Sequence, residues 1–199
     1  MEALTLKPPL LIMTMGFPGA GKTFFSRQFS EKFQLPYLSE DRVRFELFER
    51  PRFTTDETEI IARIIDYSAE QIMKTTSTVV LDGDFSSKKR REHINELAKQ
   101  HQYRTLIVWL QTDLATCKIR AAKRDRRSAD SKYSFNIDAD TFERIISQLS
   151  RPGEKEPRIV ISGKNAFKGQ SLAVLRKITE SYASQLPSEL GNARRALIQ

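Results

Sequence analysis

The chain alternates short apolar runs with stretches of helical periodicity. Leu10 to Met15 reads as a buried strand, and Thr23 to Phe33 as a helix whose apolar stripe is Phe25, Phe29 and Phe33 at i, i+4 and i+8. Leu35 to Leu38 is a short second strand. A helix is expected from near Asp41 through Phe48 until Pro51 stops it, and another at about 57–73, capped by Thr54 or Thr55 and marked by Ile60, Ile61, Ile64, Ile65 and Ile72. Thr78 to Leu81 is rich in β-formers and ends at Asp82; Ser87 to Gln100 follows as an exposed helix. Thr105 to Leu110 is a further strand, Asp113 to Arg127 a helix, and Ser128 to Ser134 a polar loop. A helix at about 138–149 ends before Pro152, Arg158 to Ile161 forms the last strand, and Leu172 to Ala183 the last long helix.

Strands that alternate with helices over this length predict an α/β fold, a parallel sheet covered on both faces. The 199 residues suit one domain, expected over 1–185, with 186–199 a weakly tethered tail and a helical reading at 193–198. No basic region precedes the short apolar run near the N-terminus, so neither a leader nor a membrane span is expected. With one cysteine, Cys117, and two histidines, His93 and His101, neither an internal disulfide nor a multi-cysteine metal site is expected, which fits a cytoplasmic protein. The formal net charge of +8 suggests affinity for phosphates. Its distribution matters more: between 118 and 132 seven cations stand against Asp125 and Asp130.

Residues 16–23, Gly-Phe-Pro-Gly-Ala-Gly-Lys-Thr, match the spacing G-x-x-x-x-G-K-T. Glycines at that spacing let Gly16, Phe17, Pro18, Gly19, Ala20 and Gly21 turn successive N–H groups around phosphate oxygens. Lys22 then reaches the β and γ phosphates, and the Thr23 hydroxyl holds Mg²⁺. The following helix points its positive end at the same anion. Such a loop binds nucleotide phosphates but does not name the reaction.

In a parallel sheet the chemistry lies beyond the carboxyl ends of the strands. Two such places are polar: Ser39 to Arg44 after the second strand, and Asp82-Gly83-Asp84 after the third. Asp41 either accepts the proton of an attacking hydroxyl or caps its helix. Arg44, one turn on, holds an anionic group of the acceptor or lies on a solvated face. Asp82 has the position of an acid that orients a Mg²⁺-bound water or the acceptor, and Asp84 contacts the acceptor or orients the turn. Lys88 to Arg91 reads as a solvated charge run, with attraction of acceptor phosphates the alternative. Arg120 and Arg124 share one helix face at i, i+4, followed by a polar loop, which suggests a lid that closes over the transferring group.

The stretches GFPGAGKT, SEDRVR and VVLDGDFSSKKRREHINELAKQ together resemble the AAA-type P-loop kinases of the polynucleotide-kinase and zeta-toxin type, over about residues 9–183. The resemblance implies a P-loop NTPase fold: a doubly wound sheet of five parallel strands with the first strand central and helical lid insertions near 54–73 and 128–149. It implies Asp41 as general base, Arg44 as the arginine for the acceptor's phosphate, and Arg120 and Arg124 as lid arginines beside the nucleotide. The family commonly has D-x-T or D-x-N where this chain has Asp82-Gly83-Asp84. At this length no phosphatase-like second domain is expected after it.

The expected activity is transfer of the γ-phosphoryl of ATP, with Mg²⁺, to a hydroxyl on a polynucleotide 5′ end or on a small molecule. Asp41, Lys22 and Arg124 would be catalytic, Arg44, Asp82 and Asp84 would contact the acceptor, and Thr23 and Asp82 would serve the metal. The competing expectation is a nucleotide-dependent regulatory or nucleic-acid-binding ATPase module without kinase activity. No membrane and no obligate protein partner is expected in either case.

Overall fold

The computed structural model describes residues 8–123, 133 and 135–183. These fall into two compact units divided after Gly163. The first holds strands β1 (Leu10–Met15), β2 (Tyr37–Ser39), β3 (Val79–Asp82), β4 (Arg104–Gln111) and β5 (Arg158–Ser162). It also holds helices α1 (Lys22–Phe33), α2 (Glu40–Leu47), α3 (Thr55–Met73), α4 (Lys88–Gln100), α5 (Leu114–Ala122) and α6 (Ala139–Ser147). The second holds α7 (Phe167–Ala183), which begins before the expected Leu172 because its polar first residues carry helical hydrogen bonds, Gln170 N–H to the Ala166 carbonyl among them.

The five strands are all parallel, in the order β2-β3-β1-β4-β5, so β1 is central. All six residues of β1 are buried. Successive strand residues face opposite sides. Leu11, Met13 and Met15 pack with Ile61, Ile65, Ala69 and Met73 of α3 and with Ile94 and Ala98 of α4. On the other side the Ser26 hydroxyl of α1 donates to Thr14 Oγ1 at 3.0 Å. Helices therefore cover both faces, as a doubly wound sheet requires, and each fully buried Leu, Ile or Phe contributes about 1.5–3 kcal/mol.

α1 buries Phe25 and Phe29, whose ring centroids lie 5.3 Å apart. It ends at Gln34, which adopts a left-handed conformation with φ 52°, and the Leu35 N–H then bonds the Ser30 carbonyl. Pro36 cannot continue a helix. This termination consumes Leu35, so β2 begins at Tyr37, later than the apolar pattern suggests, and extends to Ser39.

Register sets the level of the site. Thr14 of β1 and Ser39 of β2 both pair with Asp82 of β3. The three chain segments that follow, Gly16 onward, Glu40-Asp41 and Gly83-Asp84, consequently leave the sheet side by side. The helix expected over Asp113 to Arg127 is capped by Asp113 and ends at Ala122, with Lys123 as its C-cap, short of the expected end; residues 124–127, most of the loop expected at Ser128–Ser134 and the tail 186–199 lie outside the described residues.

Candidate active site

The glycine loop connects β1 to α1. Gly19 has φ 80°, and a Cβ there would collide with the Cys117 carbonyl of α5, so a residue with a side chain would displace the loop. The Lys22 ammonium donates to the carbonyls of Gly16 at 2.9 Å and Phe17 at 3.2 Å, bringing the cation over the loop. α1 starts with no side-chain cap and no acid in its first turn, so its positive end is not neutralised locally. That is the arrangement an anion needs.

Asp82 is 5% exposed and sits at the sheet end beside the loop. Its Oδ1 accepts from the Thr14 hydroxyl at 3.3 Å and its Oδ2 from the Tyr37 hydroxyl at 2.9 Å. Burial, reinforced by the Asp82 charge, pushes the Tyr37 phenol far up, which keeps it a proton donor to Asp82. Asp82 and Thr23 line the same cavity. A hydroxyl and one carboxylate, both hard oxygen donors, fit Mg²⁺ that keeps waters and substrate phosphates as its other ligands. Among the described residues no cluster of three or more His, Cys, Asp or Glu could hold a metal unaided.

α2 opens the opposite wall. Its N-cap is Ser39, whose side chain accepts from the Arg42 N–H at 3.4 Å, so Asp41 lies in the first turn rather than at the cap. Glu40 accepts the Asp84 N–H at 2.8 Å and lies 3.7 Å from the Arg90 guanidinium. Its carboxylate occupies the space that a Cβ at Gly83 would need. Burial pushes the Glu40 carboxyl up to about 7; the Asp84 N–H and Arg90 oppose the rise, and the charges of Asp84 and Asp41 add to it. Asp84 Oδ1 in turn accepts the Ser86 N–H at 3.0 Å, fixing the turn after β3.

Arg44 is 5% exposed, not on a solvated face. It lies 3.5 Å from Glu57 Oε2, donates to Thr58 Oγ1 at 3.4 Å and stacks on the Phe53 ring at 4.9 Å. Glu57 also gathers the N–H groups of Arg52 and Phe53. Burial raises the Glu57 pKa, but those N–H groups and Arg44 outweigh it and hold the carboxyl below its usual range.

One cavity of about 250 Å³ joins these parts. It brings together Lys22, Thr23, Asp41, Arg44, Asp82 and Asp84, with Gly16 and Pro18 of the loop. Arg120 stands outside that lining: it is exposed and donates to the Gly163 carbonyl at 3.4 Å. Arg124 lies outside the described residues. The sequence did not single out Glu40, Glu57, Phe53 or Phe135, all of which bound or brace the site. The first could have been found as an acid directly after a strand end; the aromatic residues carry no local signal.

The charge run Lys88 to Arg91 divides. Lys88 and Lys89 are exposed, whereas Arg90 pairs with Asp66 at 2.8 Å and Arg91 is fully buried. Arg91 donates to Glu156 at 2.7 Å and to the carbonyls of Phe85, Ser86 and Ser150, each at 3.0 Å. It thereby pins the segment after α6 to the turn that carries Asp84.

The fold is shared with known kinases. A sugar kinase from Janibacter sp. HTCC2649 is similar with TM-score 0.64 and 15% identity, covering 86% of this chain and 95% of its own. The Mycobacterium tuberculosis APS kinase CysC, in complex with AMPPNP and APS, gives 0.63 and 17% over 86% and 98%. Chaetomium thermophilum Kti12, in complex with ADP-AlF3, gives 0.63 and 18% over 85% and 97%. No curated protein matches this chain in sequence. No helix among the described residues is long and apolar enough to cross a membrane. The model of the AAA_33 family, an AAA domain, matches residues 11–152, most of the chain and the whole of the cavity just described, and this protein belongs to that family.

Proposed function

We propose that the chain is a phosphotransferase that moves the γ-phosphoryl of ATP to a hydroxyl acceptor, of the polynucleotide-kinase and zeta-toxin type. The observation that carries this reading is the meeting of Lys22, Asp41 and Arg44 in one cavity at the strand ends. A loop for phosphates alone would need only the first of these.

In this reading the loop N–H groups and Lys22 hold the β and γ phosphates; Thr23 and Asp82 would hold Mg²⁺, which would supply positive charge at the phosphate oxygens. The Asp41 carboxylate takes the proton of the acceptor hydroxyl while its oxygen bonds to the γ phosphorus. The bond from that phosphorus to the β–γ bridging oxygen breaks, and ADP leaves with the electron pair. Arg44 and Asp84 orient the acceptor. Arg120 and Arg124 act as lid arginines by the family resemblance. The alternative, a nucleotide-driven regulatory module, has no need of a buried cation for an acceptor's anionic group, and Arg44 in the same cavity as Lys22 and Asp41 favours transfer over it.

A screen of radiolabelled γ-phosphoryl transfer to oligonucleotides and to a panel of hydroxyl metabolites tests the proposal. A labelled product with ADP in equal amount supports it. ATP hydrolysis with no labelled product from any acceptor contradicts it.

A further inference from the structure

Asp82 is a buried carboxylate with no cation of the protein paired to it. It is 5% exposed, and among the described residues no Lys, Arg or His forms an ion pair with it. Its described hydrogen bonds come from two neutral hydroxyls, those of Thr14 and Tyr37. A carboxylate taken out of water is stable when it is paired or serves a metal, and two neutral donors offset only part of the cost. The Mg²⁺ reading of Asp82 supplies the positive charge.

Strand register brings Tyr37 to this group. Tyr37 of β2 pairs with Val80 of β3, and Asp82 lies two residues farther along β3, hence on the same face. Thr14 of β1 pairs with Asp82 directly. The carboxylate therefore stands between two neighbouring strands, each of which sends a hydroxyl to a different oxygen: Thr14 to Oδ1 at 3.3 Å and Tyr37 to Oδ2 at 2.9 Å. The Tyr37 bond is the shorter. Donors on both oxygens fix the plane of the carboxylate, and each oxygen keeps a further lone pair for the cavity that Asp82 lines with Thr23.

The phenol is itself held in place. Its ring stands on β2 with the Arg42 guanidinium over it at 5.2 Å. Tyr37 is not part of the cavity lining, so what its hydroxyl contributes to the site passes through Asp82. A ligating carboxylate already held in one orientation gives up little freedom when a metal binds, and partners of this kind are worth about 10-fold to 100-fold in metal affinity.

Resting on the reading in which Thr23 and Asp82 serve Mg²⁺, we propose that Tyr37 is a positioning residue whose hydroxyl orients the Asp82 carboxylate for the metal that accompanies ATP.

The experiment uses the full chain and a non-hydrolysable ATP analogue, whose Kd is measured in excess Mg²⁺ and in excess EDTA. The ratio of the two values is the factor by which the metal tightens nucleotide binding. Tyr37→Phe removes the hydroxyl and keeps the ring beneath Arg42. It is expected to leave the Kd in EDTA at the parental value and to shrink the ratio by about 10-fold. Asp82→Asn is the reference and should shrink the ratio at least as far. The proposal is overturned if Tyr37→Phe keeps the parental ratio while Asp82→Asn lowers it, or if Tyr37→Phe weakens binding equally in Mg²⁺ and in EDTA, as loss of a purely structural bond would. A parental ratio in Asp82→Asn takes the metal away from Asp82 and overturns the proposal together with that reading. The expected ratios without phosphoryl transfer to any acceptor contradict the phosphotransferase reading and leave the role of Tyr37 standing.

Discussion

The Glu40 carboxylate accepts the Asp84 N–H at 2.8 Å, and this bond ties the start of α2 to the turn after β3. Two segments that carry candidate chemistry are thereby held at one spacing. The same burial that makes the bond possible pushes Glu40 up to about 7 from an ordinary value of 4.5. The folded chain therefore retains a proton that the unfolded chain releases. Stability is present below about pH 4.5 and declines as pH rises toward about 7. Glu40→Gln removes this loss. Its stability relative to the parent should grow with pH across that window, on the order of 1 kcal/mol per pH unit. Thermal melts of both proteins from about pH 5 to about pH 8 check it; a constant difference would contradict the assignment.

Lys22→Ala removes the charge that lies over the glycine loop. The variant is expected to fold, because the ammonium's bonds to the Gly16 and Phe17 carbonyls stay within the loop and hold no strand or helix in place. It should lose the Tm increase that ATP with Mg²⁺ gives the parent, since the contact to the β and γ phosphates is gone. An unchanged increase would remove Lys22 from the nucleotide site.

Arg91→Met tests the brace beneath the cavity. With the guanidinium absent, the carbonyls of Phe85 and Ser150 lose the bonds Arg91 gives them, and Glu156 and the Ser86 carbonyl keep only the N–H groups of Gly153 and Ser150. Breaking a buried pair in this way costs about 3–5 kcal/mol. For a chain of this size the Tm should fall by roughly 10 °C. Arg91→Lys keeps the charge but not the fork, and should recover little of the loss. A melt within two or three degrees of the parent would show the network to be dispensable.

Much of this site is legible in the sequence because its signals are local. An apolar run, a glycine loop and a Lys-Thr pair predict β1, the loop and α1, and alternating strand and helix patterns predict the parallel sheet. What escapes depends on three-dimensional register. Whether Asp41 caps α2 depends on where β2 stops, and that is set by the Leu35–Ser30 bond that ends α1. Arg91 is one of four successive cations, and only its spacing to Ile94 and Ala98, the other buried residues of α4, distinguishes it from its solvated neighbours. Phe53 and Phe135 meet across distant segments, with no periodicity to announce it.

The central claim is that Asp41 receives the acceptor's proton. Because Ser39 caps α2, Asp41→Asn should leave the helix start intact, and asparagine keeps the shape and much of the hydrogen bonding. The measurement is single-turnover transfer of labelled γ-phosphoryl to the identified acceptor, made on a variant shown by melts with and without nucleotide to fold and bind ATP with Mg²⁺. The rate is expected to fall by about 10²-fold to 10⁴-fold, the usual scale for a positioned base. A folded, ATP-binding Asp41→Asn protein that transfers phosphoryl at the parental rate would contradict the account.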